Sequence, residues 1–246
     1  MGEYVPGGQR VPASHGWTWI AEGWELFKAA PGPWVGISLV FGLWLLLPMI
    51  PIVGFLASLA MPFFTPVLFG GIMIGCRAID EGRGLEFNHL FEAFRTHLGT
   101  LVLVGAISFA ITIVIMLIVF VPTMIIMGAS LFATGGQDQQ ITPESLQLMG
   151  LGAVLAALIF VALSLPVTAA MWFSPALVTG QNLTPVEAMK SSLIGCLRNI
   201  LPLIVYGLIL LIPAFLATIP ILLGWLILGP ILAASVYAGY KDIYLR

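Results

Sequence analysis

PMIPIVG, residues 48–54, interrupts an apolar run that extends from residue 34 to residue 79. A helix needs about 20 apolar residues to cross the hydrocarbon layer of a bilayer. The run is therefore long enough for two crossings, provided the chain turns between them. Pro48, Pro51 and Gly54 supply that turn, because proline removes a backbone donor and cannot continue a helix cleanly. The reading of this stretch decides the fold, since the pattern recurs. Residues 98–127 and 146–179 each give a further crossing, and the run 199–240 is again double length, broken at IPAFLATIP, residues 212–220. The expected architecture is all-α, integral to the membrane, with six transmembrane helices. Helices are required because backbone polar groups in lipid must find partners within their own segment.

Composition agrees. Hydrophobic residues make up 60% of the 246, charged residues only 8%, and the mean hydropathy is +1.08. An ordinary soluble domain is roughly 25% charged, so this chain's solvent is lipid. A net charge of −2 gives no basis for a nucleic-acid partner. No cationic segment leads a short apolar core, so no cleavable signal peptide is expected. Residues 1–13, MGEYVPGGQRVPA, read as a flexible tail ahead of a single membrane domain over 14–246.

Six crossings sort the cations. Arg10 and Lys28 precede the first span; Arg77, Arg83 and Arg95 lie between the second and third. Lys190 and Arg198 lie between the fourth and fifth, and Lys241 and Arg246 follow the sixth. All nine fall on one side, which the positive-inside bias makes cytoplasmic, together with both termini. The expected location is the inner membrane of a bacterium. The longest opposite loop, 128–145, has Asp138 and Glu144 as its only charges.

A threefold repeat of about 14–82, 86–180 and 184–246 is also expected. WTWIAEGWELFK (17–28), EFNHLFEAFR (86–95) and TPVEAMKSSL (184–193) each place apolar residues at helical spacing beside a polar face. Such helices lie flat in the interface, apolar stripe in lipid. Each pairs Glu with Lys or Arg three residues on: Glu25 with Lys28, Glu92 with Arg95, Glu187 with Lys190. Thr184, Pro185 and Glu187 make a capping box. The second span of each unit begins at a proline followed by small residues: Pro66, Pro166, Pro230. Arg77 and Lys241 both sit eleven residues after theirs, where the middle copy has Leu177. The first spans end near Pro48, Pro122 and Pro213. Three prolines that bend helices about an axis along the membrane normal could open a vestibule; the plain alternative is that proline and glycine are common in membrane helices.

The candidate sites are sparse. Glu86, His89 and Glu92 share a helix face, with His97 nearby, but no HExxH or cysteine-pair signature accompanies them, and no metal or cofactor is expected. Cys76 and Cys196 read as small buried hydrophobes in a reducing compartment. GRG at 82–84 is a turn, not a phosphate loop. Trp17, Trp19, Trp24, Trp34, Tyr237, Tyr240 and Tyr244 read as an aromatic belt at the cytoplasmic boundary. No ionisable residue falls at hydrocarbon depth, which disfavours ion coupling. Arg77, Asp80, Lys241 and Asp242 stand at helix ends, within reach of water.

GCRAIDEGRGLEFNHLFEAFR (75–95), MWFSPALV (171–178), TPVEAMKSSLIGCLRNILPLIVYG (184–207) and AASVYAGYKDIY (233–244) resemble an uncharacterised group of six-span proteobacterial inner-membrane proteins. That group is similar to the YciC-like proteins and, more distantly, to the membrane domain of some glycerophosphodiester phosphodiesterases. The resemblance implies a six-span inner-membrane protein and carries over no catalytic residue. Three function classes follow. The first is a non-enzymatic accessory or scaffold protein that binds membrane lipids or another membrane protein. The second is a passive or facilitated pathway for a lipid or amphiphile. The third is a lipid-directed enzyme at the cytoplasmic face, with Glu86, His89, Glu92 and Arg95 as its polar cluster.

Overall fold

The computed structural model describes residues 2–134, 143–219 and 223–246. Ten α-helices account for most of them: α1 (His15–Ala29), α2 (Pro31–Leu46), α3 (Val53–Asp80), α4 (His89–Thr96), α5 (Leu98–Thr134), α6 (Pro143–Trp172), α7 (Ser174–Gln181), α8 (Pro185–Arg198), α9 (Ile200–Thr218) and α10 (Trp225–Tyr244). The turn expected at 48–54 is present, as a short 3₁₀ segment at Leu47–Met49 followed by Ile52 at φ 68°. The longest connection, expected at 128–145, lies partly outside the described residues.

The chain forms two compact units. One comprises Met1–Ala106 with Ala169–Arg246; the other is Ile107–Thr168. In the second unit, Phe120 and Phe160 pack with ring centroids 5.5 Å apart. Thr112, Thr123 and Ser164 each donate their hydroxyl to the carbonyl four residues earlier. This back-bonding keeps a polar side chain satisfied where no water is at hand.

The first unit is built on close helix approach. α4 packs on α3, α8 on α7 and α1 on α10, while the C-terminal parts of α3, α7 and α10 meet one another. Missing side chains permit the contacts. A Cβ on Gly71 of α3 would lie 2.8 Å from the His89 carbonyl oxygen and closer still to that of Leu90 in α4. A Cβ on Gly23 of α1 would lie 2.6 Å from the Ile231 carbonyl oxygen in α10. Small residues at helix interfaces serve this purpose in membrane proteins, where lipid supplies no hydrophobic drive for association.

Four expectations need correction. The three amphipathic helices do not lay their whole apolar stripe in lipid. Leu90 and Ala93 of α4, Ala188 and Met189 of α8, and Trp19 and Leu26 of α1 are buried against protein. An edge of each stays exposed, at Phe91 of α4 with Phe87 just before it, at Val186, Ile194 and Leu197 of α8, and at Trp17 and Trp24 of α1. The aromatic belt is likewise mostly core: Trp19, Trp34, Tyr237, Tyr240 and Tyr244 are all buried. The glycines and alanines around them leave room for large rings, and their polar tips find partners, as in Trp34 Nε1 donating to the Leu26 carbonyl at 3.0 Å.

Residues 2–13 are docked rather than a free tail. Glu3 and Arg246 exchange backbone hydrogen bonds at 3.0 Å, and Val5 N–H donates to the Tyr244 carbonyl at 2.8 Å. Arg198 Nη1 donates to the Gly7 and Gly8 carbonyls at 3.2 and 2.7 Å. Buried Asn199 accepts from Val11 N–H and donates to the Gln9 carbonyl, both at 2.9 Å. Positive φ at Gly7 and Gly8 bends the strap to follow α8 and α10. Finally, Pro122 lies well inside α5, which runs on to Thr134, whereas α9 ends at Thr218, soon after Pro213. Both helices absorb the lost hydrogen bond, as membrane helices often do.

Candidate functional site

Of the three prolines expected to bend helices, Pro66 and Pro230 belong to the first unit and Pro166 to the second. Pro66 and Pro230 are buried between helices and Pro166 is exposed. Polar groups gather further along α3 and α10, where both helices approach their C-terminal ends. Lys241 Nζ lies 2.7 Å from Asp80 Oδ2, and Tyr237 donates its hydroxyl to the same oxygen at 3.1 Å. The ammonium also sits 5.4 Å from the centroid of the Tyr237 ring and 3.9 Å from Glu22. Burial raises the Glu22 carboxyl above its usual range; Asp242 and Asp80 add to the rise, and Lys241 opposes it. Beside this group, Asp242 accepts from Trp19 Nε1 at 2.8 Å and meets His15 Nδ1 at 2.7 Å. Arg77 bonds Glu81 at 2.9 Å, and Arg83 reaches the other oxygen of the same carboxylate. These bonds hold the Glu81 carboxyl below its ordinary range.

The charged cluster opens on a cavity of about 250 Å³. α3 contributes Met73, Arg77 and Asp80; α10 contributes Tyr237, Tyr240 and Lys241. α7 closes the third side with Ala176, Thr179 and Gly180, and Gly2 of the N-terminal strap reaches the rim. α7 can stand this close because Gly180 has no side chain where the Tyr240 hydroxyl lies. Gln181 Nε2 donates to that hydroxyl at 2.8 Å.

The residues singled out in the sequence fare unevenly. Glu25 and Lys28 form their pair at 2.8 Å on an exposed face. Glu92 lies 4.0 Å from His89 and forms no ion pair with Arg95 among the described residues. Glu187 turns away from Lys190 to complete the capping box, accepting from the Thr184 N–H at 3.1 Å and the Thr184 hydroxyl at 2.7 Å. Those two bonds, the hydroxyl first, hold its carboxyl below the ordinary range. His89 Nδ1 accepts from the Glu86 N–H, and His97 Nε2 meets Asn182 at 2.9 Å, so the two histidines face different partners. Among the described residues no three His, Cys, Asp or Glu side chains come together as a metal set. Cys76 and Cys196 are buried free thiols, and burial pushes Cys196 up to about 12. The axial cluster went unread as a site. Its one signal was the shared offset of Arg77 and Lys241 from their prolines, which places both on equivalent turns.

A probable inner membrane protein of Burkholderia thailandensis is 30% identical to this chain over 234 residues, covering 93% of this chain and 82% of that protein. The chain belongs to that family of inner-membrane proteins. No family model and no solved structure matches it. Among the described residues, five helices of this family member are long and apolar enough to cross a membrane: Pro31–Met49, Val53–Asp80, Leu98–Gly128, Leu146–Gln181 and Ile200–Thr218. α10, which carries Tyr237, Tyr240, Lys241 and Asp242, falls short of that apolarity.

Proposed function

We propose that the chain crosses the inner membrane six times, as three parallel units, and serves as an accessory or scaffold protein rather than an enzyme. The paired chain ends support an even number of crossings. Backbone bonds between Glu3 and Arg246 hold the two termini together, which suits an even number of crossings, whereas five would separate them. α10 is the sixth crossing. Most of its residues from Leu228 to Tyr244 are buried, so its polar turns face protein rather than lipid. The docking of α4 on α3, α8 on α7 and α1 on α10 supports the three units, because each amphipathic helix rests on the second span of the unit before it, and the first closes on the last. The sorting of all nine cations puts that bank in the cytoplasm. A single cysteine at Asp138, in intact cells, is expected to react with a membrane-impermeant maleimide, the buried native thiols staying silent. Reaction only after the cytoplasm is opened would sink the six-span reading.

The accessory role rests on one observation: two of the five apolar spans are barely covered. Within the most apolar stretch of Pro31–Met49 only 11% is buried, and within that of Leu146–Gln181 only 6%. A lone bundle would bury more of these helices against each other, since association in lipid comes from packing. The uncovered faces suit another membrane protein, with lipid filling the remainder. A photo-crosslinking amino acid at Leu158 or Ile212, 60% and 70% exposed, is expected to capture a discrete protein partner in native membranes. The same group at fully buried Val67 serves as the control and captures none. Adducts to lipid alone at both exposed positions would overturn the accessory role. The likeness to YciC-like proteins and to phosphodiesterase-linked membrane domains belongs to the same reading. The alternative, a pathway for an amphiphile through a proline-lined vestibule, has less support, because Pro66, Pro166 and Pro230 are not among the residues lining the cavity described above.

A further inference from the structure

We propose that the axial cavity binds a small zwitterion of the phosphoethanolamine class, with its oxyanion toward Tyr240, Arg77 and Lys241 and its ammonium toward Asp80 and Glu81. Two unused groups carry the inference. Tyr240 is 3% exposed, and its oxygen accepts from Gln181, so its hydroxyl proton has no acceptor among the described residues. Asp80 takes both Lys241 and Tyr237 on Oδ2, leaving Oδ1 without a partner among the described residues. A buried donor left without an acceptor, as at Tyr240, is costly and rare in native structures. Asp80, about 30% exposed, adds a carboxylate oxygen on the same cavity that can take a further donor, so a ligand with both an acceptor and a donor suits the pair.

Charge narrows the class. Arg77 and Lys241 balance Asp80 and Glu81, so the lining is neutral overall. A free oxyanion would be repelled by the carboxylates, and a simple amine by the cations. A molecule with both charges a few ångströms apart meets each sign with its opposite. Size narrows it further. About 250 Å³ is below the 300–1,000 Å³ typical of pockets for drug-sized ligands, so the site holds a headgroup and not a whole amphiphile. The floor of Met73 and Ala176 suits the short carbon link between the charges. The same chemistry is presented by a free metabolite and by a membrane lipid. The inference deepens the lipid side of the reading above, yet free-ligand binding does not depend on a protein partner, so the two fail separately.

The test uses the full chain in a neutral detergent, titrated with phosphoethanolamine, inorganic phosphate and ethanolamine, with binding read by calorimetry. Phosphoethanolamine is expected to bind at least about tenfold more tightly than either half, a difference of about 1.4 kcal/mol. Tyr240→Phe, which removes the hydroxyl donor together with the acceptor used by Gln181, is expected to weaken it about tenfold; Arg77→Gln provides a second variant if the first does not fold. Equal binding of phosphate alone, no binding of phosphoethanolamine, or an unchanged affinity in the folded variant would each overturn the proposal. Reconstitution identifies the source. Phosphatidylethanolamine vesicles that block the free headgroup, where phosphatidylcholine vesicles do not, point to lipid, because a quaternary ammonium offers no N–H to Asp80. Equal binding in both vesicles points to the free metabolite.

Discussion

Gly71→Val is expected to abolish docking of α4 and to remove most folded protein from a detergent extract. The reason is geometric. A side chain at position 71 would enter the Leu90 carbonyl and lie 2.6 Å from its carbon and 2.8 Å from the His89 oxygen. These are backbone atoms of a neighbouring helix, so no rotamer change relieves the clash. Overpacking ordinarily costs about 1–3 kcal/mol and more where the surroundings cannot yield. Here α4 must move as a body, taking fully buried Leu90 and Ala93 from their sites on α3. We expect a loss of at least about 3 kcal/mol, a large part of the roughly 5–15 kcal/mol that holds a typical domain. Gly23→Val should do the same to α1, where Ile231 O and Ser235 N stand 2.6 and 2.8 Å from the added carbon. Gly207→Val is the control, because that position in α9 is exposed with nothing within 4 Å. Monodisperse recovery on gel filtration reads all three. A Gly71→Val protein that elutes and melts like the parent would show that α4 does not rest on α3.

This contact shows how far the sequence could be read. The apolar runs announced membrane helices, because a bilayer leaves the backbone few other choices. The amphipathic segments at 17–28, 86–95 and 184–193 were legible as helices from their spacing alone. Their placement was not. A stripe of Leu90, Ala93 and Phe94 is equally suited to lipid and to protein, since both are apolar. What decided between them is a groove of glycines on another helix, Gly70, Gly71 and Gly75, which spacing within α4 cannot reveal. The N-terminal strap was missed for a related reason. Its glycines and prolines look like a flexible tail, and its partners, Asn199, Arg198 and Tyr244, stand nearly 200 residues or more away. The axial site was half legible. The equal offset of Arg77 and Lys241 put them on equivalent turns, but both read as helix ends reaching water. Only the assembled helices set Asp80 opposite Lys241.

That pair underlies the last expectation. Asp80→Asn should lower the melting temperature by roughly 4–8 °C, whereas Glu25→Gln should leave it nearly unchanged. Both substitutions break an ion pair of similar length, 2.7 and 2.8 Å. The environments differ. Glu25 and Lys28 are 70% and 48% exposed, and a helical surface pair of that kind is worth about 0.2–0.5 kcal/mol and fades with salt. Asp80 and Lys241 are each 30% exposed, and Asp80 also takes the Tyr237 hydroxyl. Orphaning one partner of a fully buried pair costs about 3–5 kcal/mol, and of an exposed pair about 0–1. A pair one-third open falls between, at about 2 kcal/mol, which for a chain of this size is the stated shift. Lys241 keeps Glu22 at 3.9 Å, which limits the loss. The double substitution Asp80→Asn with Lys241→Met decides the interpretation. If the cost is an unpaired ammonium, removing that ammonium recovers part of it, and the cycle shows a coupling above about 1 kcal/mol. Strict additivity would mean that each side chain acts through its own packing, and that the charge between α3 and α10 holds nothing together.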